Sequence, residues 1–331
     1  MDTIKSEILH WPVRGSFRIA RSEVTKVDVV VVTVRSGPHV GHGECRPYPR
    51  YDETPESVCA QINSLKPTLN DLSLTNLKDR LPNGAARNAV DCALWDLQAQ
   101  ITGKPVHELM GLPAPRPRKT AFTLSLDTPA KMANAAVKAA RYELLKIKIS
   151  DHDGLACALA VIDARPDVSL IVDANESLTS ETLAAFQSAL AGKAVALIEQ
   201  PLPASTSLPE HVAGQLPPLC ADESLHTRSD LDRLWREGYR AVNIKLDKAG
   251  GLSEAYELAR TAKGMGFYIM LGCMVSSSLS MAPAMLLEGL ADVIDLDGAA
   301  LLSQDHEDGM VYENGFVCPA PKSLWGYPRK S

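Results

Sequence analysis

Hydrophobic and polar positions follow two different rhythms along this chain. Near the N-terminus, KSEILHWPV and KVDVVVVTV are rich in β-branched residues and read as strands, the second ending at a turn-like Ser36-Gly37-Pro38. Helical stretches follow. TPESVCAQINSL offers Thr54 as an N-cap with Pro55 at the first helical position. AARNAVDCALWDLQAQIT spaces Ala86, Val90, Ala93, Leu94 and Leu97 along one helix face, which must therefore be buried. Residues 1–117 thus predict an α+β unit.

GLPAPRPRKT, with prolines at 113, 115 and 117, breaks this pattern and predicts an extended linker. Beyond it, short apolar runs alternate with helical stretches: AFTLSL, ELLKIKIS, SLIVDAN, AVALIEQP, PPLCADES, AVNIKLDK, YIMLGCM and DVIDLDG. Each has a polar residue at or near its C-terminal end: Thr123, Lys148, Asp173, Glu199, Asp222, Lys245, Cys273 and Asp295. A step of about 25 residues suits one strand, one crossover helix and two short loops. Eight such units predict an α/β fold, a (β/α)8-type barrel over residues 118–302, with its active site at the strand C-termini. A doubly wound open sheet is the rival, but no Gly-rich phosphate turn follows AFTLSL. Residues 303–331 are expected to return to the N-terminal unit.

The length of 331 residues agrees with two domains, since single cores stop growing at roughly 250–300. The net charge of −6 and 5% aromatic content argue against nucleic acid or an anionic membrane as partner. No apolar run is long enough to span a bilayer, and the first residues lack a signal-peptide pattern. Seven cysteines without CxxC pairs predict free thiols in a reducing cytoplasm rather than disulfides or a zinc ribbon.

The strand-end residues carry the chemistry. Residues i and i+2 of a strand share a face, which pairs Lys146 with Lys148 and Asp295 with Asp297, and groups Asn243, Lys245 and Asp247. Asp173, Glu199 and Asp222 occupy matching positions on three successive strands, where they would repel one another without a cation. Oxygen-only ligands favour a hard divalent ion, Mg²⁺ first among them. Lysines before and after the carboxylates would stabilise an anion from two sides. Such a site suits proton removal next to a carboxylate, with one lysine tuned downward to act as base.

KIK (Lys146 to Lys148), VDAN, EQP, ADES and NIKLDKAGG, taken in order, resemble the muconate-lactonizing subgroup of the enolase superfamily. As a class, that superfamily sets a Lys or His base and Mg²⁺ against an ene-diolate. The resemblance covers nearly the whole chain, including PYPRYDE (Pro47 to Glu53), and implies a modified (β/α)7β barrel under a capping domain. DLDG, GECRPYPRYDE, AARNAVDCALWDL and ADESLHTRS are similar to the dipeptide epimerases, and within them to the L-Ala-D/L-Glu epimerases of enteric-type bacteria. The likeness implies Lys148 and Lys245 as acid/base catalysts, and one Mg²⁺ per subunit on Asp173, Glu199 and Asp222. It implies Asp295 and Asp297 for the α-ammonium of a small dipeptide, and Lys146 beside the reacting carboxylate. Thr123 and Cys273 align with substrate contacts, and Arg21 with the capping-loop arginine that meets a Glu side chain; Arg50 is a weaker candidate for the same lid. It also implies murein peptide recycling, and a homo-oligomer is compatible with it. A cycloisomerase, an o-succinylbenzoate synthase or an N-acylamino acid racemase would share both lysines and the metal site, but none brings an ammonium to Asp295 and Asp297. A sugar-acid dehydratase would need a late His base, and a non-catalytic relative would have little reason to keep the full set.

Overall fold

The computed structural model describes residues 1–19, 22–210 and 216–329. Strands β1 (Thr3–Ile19), β2 (Ser22–Ser36) and β3 (His39–Cys45) form an antiparallel sheet in the order β1-β2-β3. Helix α1 (Pro55–Asn63) starts where Thr54 accepts from the Ser57 amide and Ser57 Oγ accepts in return from the Thr54 amide. Helix α2 (Ala85–Thr102) lies across β3. Strand β3 has no β-branched run to announce it, and the reason is packing. A Cβ on Gly41 or Gly43 would strike the α2 backbone at Ala93 or Ala89. Glycine is what lets helix and strand come this close.

A short helix α3 (Val106–Leu109) and strand β4 (Arg118–Lys119) lead into an eight-stranded parallel sheet. Its units are β5 (Phe122–Leu124), α4 (Pro129–Lys138), β6 (Leu144–Lys148), α5 (Gly154–Ala164), β7 (Ser169–Asp173), α6 (Ser180–Leu190), β8 (Val195–Glu199) and β9 (Leu219–Ala221). They continue with α7 (Leu231–Glu237), β10 (Ala241–Ile244), α8 (Leu246–Ala249), α9 (Leu252–Gly264), β11 (Tyr268–Gly272), α10 (Ser278–Met285) and β12 (Val293–Asp295). The strand order runs without interruption from β12 to β5. The ends meet where the Ala121 amide donates to the Ile294 carbonyl at 2.8 Å and the Leu296 amide to Thr120 Oγ1 at 3.1 Å. The sheet is thereby a near-closed barrel.

Period-two alternation fills its interior. Ala121, Ile171, Leu197, Cys220, Ala241, Met270 and Val293 form one buried apolar cluster. Two residues further along the same strands stand Thr123, Asp173, Glu199, Asp222, Asn243, Gly272 and Asp295. The apolar layer seals the barrel, and the layer above it is polar.

Strands β13 (Tyr312–Glu313) and β14 (Phe316–Val317) pair with β4 in a small antiparallel sheet. The chain then reaches the first sheet, where the buried Trp325 Nε1 donates to the carbonyls of His42 (2.9 Å) and Cys92 (3.2 Å). Arg329 ion-pairs with the buried Asp96 at 2.8 Å. All seven cysteines are free thiols. Among the described residues no helix is long and apolar enough to cross a membrane.

Candidate active site

A cleft opens at the C-terminal ends of the barrel strands, with about 760 Å³ of empty space counted out to solvent. The N-terminal domain contributes Phe17, Val24, Arg46, Tyr48 and Tyr51 to its walls, while Lys146, Lys148, Asp222, Lys245, Asp295 and Asp297 rise from the barrel.

The structure gathers nearly all the residues singled out from sequence. Lys148 Nζ donates to Asp173 Oδ2 at 2.5 Å, and Lys245 Nζ to Asp222 Oδ2 at 2.7 Å. Lys146 Nζ lies 3.1 Å from Asp173, 2.7 Å from Glu199 and 2.8 Å from Asp295. The Thr123 amide donates to Asp297 Oδ2 at 2.7 Å. Cys273 Sγ donates to the Asp295 carbonyl at 3.3 Å, and burial pushes its thiol well above the usual range, so it stays neutral. Arg21 lies outside the described residues. Arg50 forms a two-pronged ion pair, Nε and Nη2 each donating to Glu176 at 2.8 Å, which ties the Pro49–Tyr51 turn to the loop after β7.

One grouping is corrected. Strand alternation predicts Asp247 on one face with Asn243 and Lys245. The chain turns helical at Leu246, and Asp247 instead accepts from the Arg46 amide (3.0 Å) and Asn88 Nδ2 (2.8 Å). Its role is to bind the two domains together.

Electrostatics dominate this site. Burial would raise Asp173, but Lys148 and then Lys146 override it and hold the carboxylate below its usual range. Burial pushes Glu199 up to about 8, helped by the charges of Asp173 and Asp222. Asp297 is pushed up to about 7 by burial and then by Asp295. Burial alone would lower Lys245, yet Asp222 holds it well above the ordinary lysine value. The downward tuning expected from sequence is thus opposed by the carboxylate that Lys245 touches.

The donor set fits a hard cation in kind. Asp173, Glu199 and Asp222 are buried carboxylates from three adjacent strands, with Asp173 and Glu199 directly paired in register. Lys146 Nζ sits 2.7 Å from buried Glu199 Oε2, an ion pair without hydrogen-bond geometry. Lysines also hold Asp173 Oδ2 and both Asp222 oxygens, while the Asn175 amide and Asn243 Nδ2 donate to Asp173 Oδ1 and Glu199 Oε1, and among the described residues no three ligand side chains close around one point. A divalent ion would have to draw Asp173 and Glu199 away from Lys146.

Two buried side chains support this set: Asn243, which sequence reading placed on the Lys245 face without a role, and Lys248, which it missed. Asn243 Nδ2 donates to Glu199 Oε1 at 2.6 Å, and Gly272 leaves room for it, since a Cβ there would strike the Asn243 amide. Lys248 Nζ reaches Asp222 Oδ1 and the Asp222 carbonyl at 2.5 Å each and the Asn243 carbonyl at 3.1 Å. The signal was spacing: Lys248 follows Lys245 by three residues, which share a face on a helix but not on a strand.

Comparisons with known proteins agree with this geometry. Residues 129–322 match the family described as enolase C-terminal domain-like. Residues 3–111 match the mandelate racemase/muconate lactonizing enzyme N-terminal domain. The chain is 44% identical to the L-Ala-D/L-Glu epimerase of Escherichia coli (strain K12), over 95% of this chain and 99% of that protein. It is 42% identical to an N-acetyl-D-glutamate racemase of Pseudoalteromonas sp, over 90% and 95% of the two chains. A solved enolase family member from Agrobacterium tumefaciens, with homology to dipeptide epimerases and with bound sodium and L-Ala-L-Glu, superposes with a TM-score of 0.94. That structure is 42% identical and covers 98% of this chain and 99% of its own. With both domains matched and the catalytic cleft formed between them, the chain belongs to the mandelate racemase/muconate lactonizing enzyme family of the enolase superfamily.

Proposed function

We propose that this protein is an isomerase, an Mg²⁺-dependent dipeptide epimerase that inverts the glutamate α-carbon of L-Ala-L-Glu and L-Ala-D-Glu. One observation carries the reading. Lys148 ends β6 and Lys245 directly follows β10, four strands apart in an eight-stranded barrel, so their ammoniums face one cleft from opposite sides.

From those positions one lysine removes the α-proton and the other delivers a proton to the opposite face. The intermediate is an enediolate, and return of the proton from the far side inverts the carbon. Lys146 lies where it can hold the substrate's α-carboxylate. Asp295 and Asp297 receive the alanine ammonium, with the Thr123 amide fixing Asp297. Cys273 borders the same end of the cleft, where it or the nearby backbone contacts substrate. Tyr48 and Tyr51 close the opening and exclude water. Asp173, Glu199 and Asp222 would hold one Mg²⁺ per subunit. When bound, that ion supplies positive charge for the substrate's carboxylate oxygens and draws the three carboxylates' charge away from the lysines.

A specific feature favours a second reading, an N-acylglutamate racemase. Lys146 already neutralises Asp295, and Asp297 titrates near 7, so a neutral acyl amide could lie where the ammonium is assigned. The relative named N-acetyl-D-glutamate racemase supports it. Both readings keep the two-lysine inversion of a glutamate α-carbon. The epimerase reading places the reaction in cytoplasmic recycling of murein peptides from the cell wall, supported by the family resemblance and the free thiols.

The test is incubation with L-Ala-L-Glu or N-acetyl-L-Glu and Mg²⁺ in D₂O, following the glutamate α-proton by NMR. Exchange and epimer formation with the dipeptide are expected. Turnover of N-acetyl-Glu alone selects the second reading, and exchange with neither refutes both.

A further inference from the structure

The cleft is lined by four described cations, Lys146, Lys148, Lys245 and Arg46. Each lysine has a carboxylate within 2.5–2.8 Å. Arg46 has none at ion-pair distance among the described residues. Its backbone amide donates to Asp247, and Nη1 donates to the Val275 carbonyl at 2.8 Å. Among the described residues this is the guanidinium's single hydrogen bond, although the group carries five N–H donors. Arg46 is partly exposed. Burial pulls it below the ordinary arginine value, and Tyr48, Asp247 and Asp28 compensate only through space. Asp247, itself pushed up to about 7 by burial, is a weak counter-charge.

A partly desolvated guanidinium in a cleft, without an anion at contact distance, is costly and is retained where an anion arrives. The position is also rigid, since Arg46 directly follows β3 and is tied at both ends to the barrel. A fork of donors held in advance suits bidentate capture of a carboxylate. Resting on the epimerase reading above, the substrate brings two carboxylates. The α-carboxylate belongs with Lys146 at the reacting carbon, which leaves the side-chain carboxylate. We infer that Arg46 receives the side-chain carboxylate of the substrate glutamate and sets the preference for an acidic residue at the epimerised position. Arg21, which the family likeness gave this task, would at most share it.

The experiment compares kcat/KM for L-Ala-L-Glu and the isosteric, uncharged L-Ala-L-Gln in wild type, Arg46→Gln and Arg46→Lys. Glutamine removes the charge and, being two bonds shorter than Nη1, also the bond to the Val275 carbonyl; that loss is common to both peptides, so the ratio between them carries the reading. Arg46→Gln is expected to lower turnover of L-Ala-L-Glu by about 100-fold or more while leaving L-Ala-L-Gln within a few-fold. Arg46→Lys should fall between, because an ammonium keeps the charge and loses the fork. An equal loss on both peptides would make Arg46 a domain tether and overturn the inference. If Arg46→Gln does not fold, Arg46→Lys decides, since an unchanged Glu-to-Gln preference there overturns it too. A wild type inactive on both peptides overturns the epimerase reading itself, an outcome distinct from an active enzyme whose preference ignores Arg46.

Discussion

Replacing Lys248 with methionine removes a buried charge while keeping the length of its stem. Lys248 is 1% exposed and is absent from the cleft lining, so it cannot meet substrate. Its three donors are matched by three acceptors, Asp222 Oδ1, the Asp222 carbonyl and the Asn243 carbonyl. Lys248→Met removes the lysine donor from the Asn243 carbonyl and from Asp222 Oδ1, leaves the Asp222 carbonyl with the Leu225 amide alone, and leaves Lys245 as the cation bonded to Asp222. Breaking a buried pair by removing one partner costs about 3–5 kcal/mol. Two features bring the expectation to the lower end, about 3 kcal/mol: Asp222 keeps its bond to Lys245, and Lys248, whose pKa burial lowers, is itself expensive to bury. Urea unfolding followed by tryptophan fluorescence and circular dichroism reads this directly, as a lower midpoint at similar slope. A loss below about 1 kcal/mol, or a gain, would refute the reasoning, because the pair would then be worth no more than apolar packing.

Other predictions concern the domain contacts, the lid and the metal. Gly43→Ala drives a methyl into the Ala89 carbonyl of α2 and should destabilise the N-terminal domain by about 1–3 kcal/mol, read by thermal unfolding. Asp247 ionises near 7 in the folded chain and near 4 when unfolded, so folding should lose stability as pH rises from about 4 to 7 and stay level above that. Asp247→Asn keeps an acceptor for Arg46 and Asn88, so its stability relative to wild type should climb across that window, by roughly 2–4 kcal/mol; a flat difference would contradict the assignment. Arg50→Gln breaks a half-exposed ion pair and should cost at most about 1 kcal/mol in stability. Its larger effect should be a raised KM, and wild-type KM should rise with salt in the same direction, as steady-state kinetics would show. Chelation with EDTA should abolish turnover, and millimolar Mg²⁺ should raise the melting temperature. A melting temperature indifferent to Mg²⁺ would argue against a cation on Asp173, Glu199 and Asp222.

Much of the fold was legible because the barrel strands are buried on both faces and read as continuous apolar runs. Their polar ends stood out against that background, so Asp173, Glu199 and Asp222 could be aligned from spacing alone. Strand β3 was not legible, because its glycines answer to the approach of α2 and not to strand propensity. The stretch after Ile244 misled for a related reason. AVNIKLDK alternates as a strand would, but the backbone turns helical after Lys245, which carries Asp247 to the domain interface and Lys248 under Asp222. Arg46 carried no local signal, since a lone arginine after a strand is ordinarily solvated. Its partial burial comes from docking two segments about 200 residues apart in sequence, as the bond from its amide to Asp247 records.

The central claim is that two lysines serve opposite faces of one carbon. Lys148→Ala and Lys245→Ala, each incubated in D₂O with L-Ala-L-Glu and separately with L-Ala-D-Glu, test it most directly. Neither variant should interconvert the epimers. Each should lose α-proton exchange from one epimer, and the epimer lost should differ between the two variants. Epimerisation at the wild-type rate by either variant, or loss of exchange from the same single epimer in both, would contradict the two-base account.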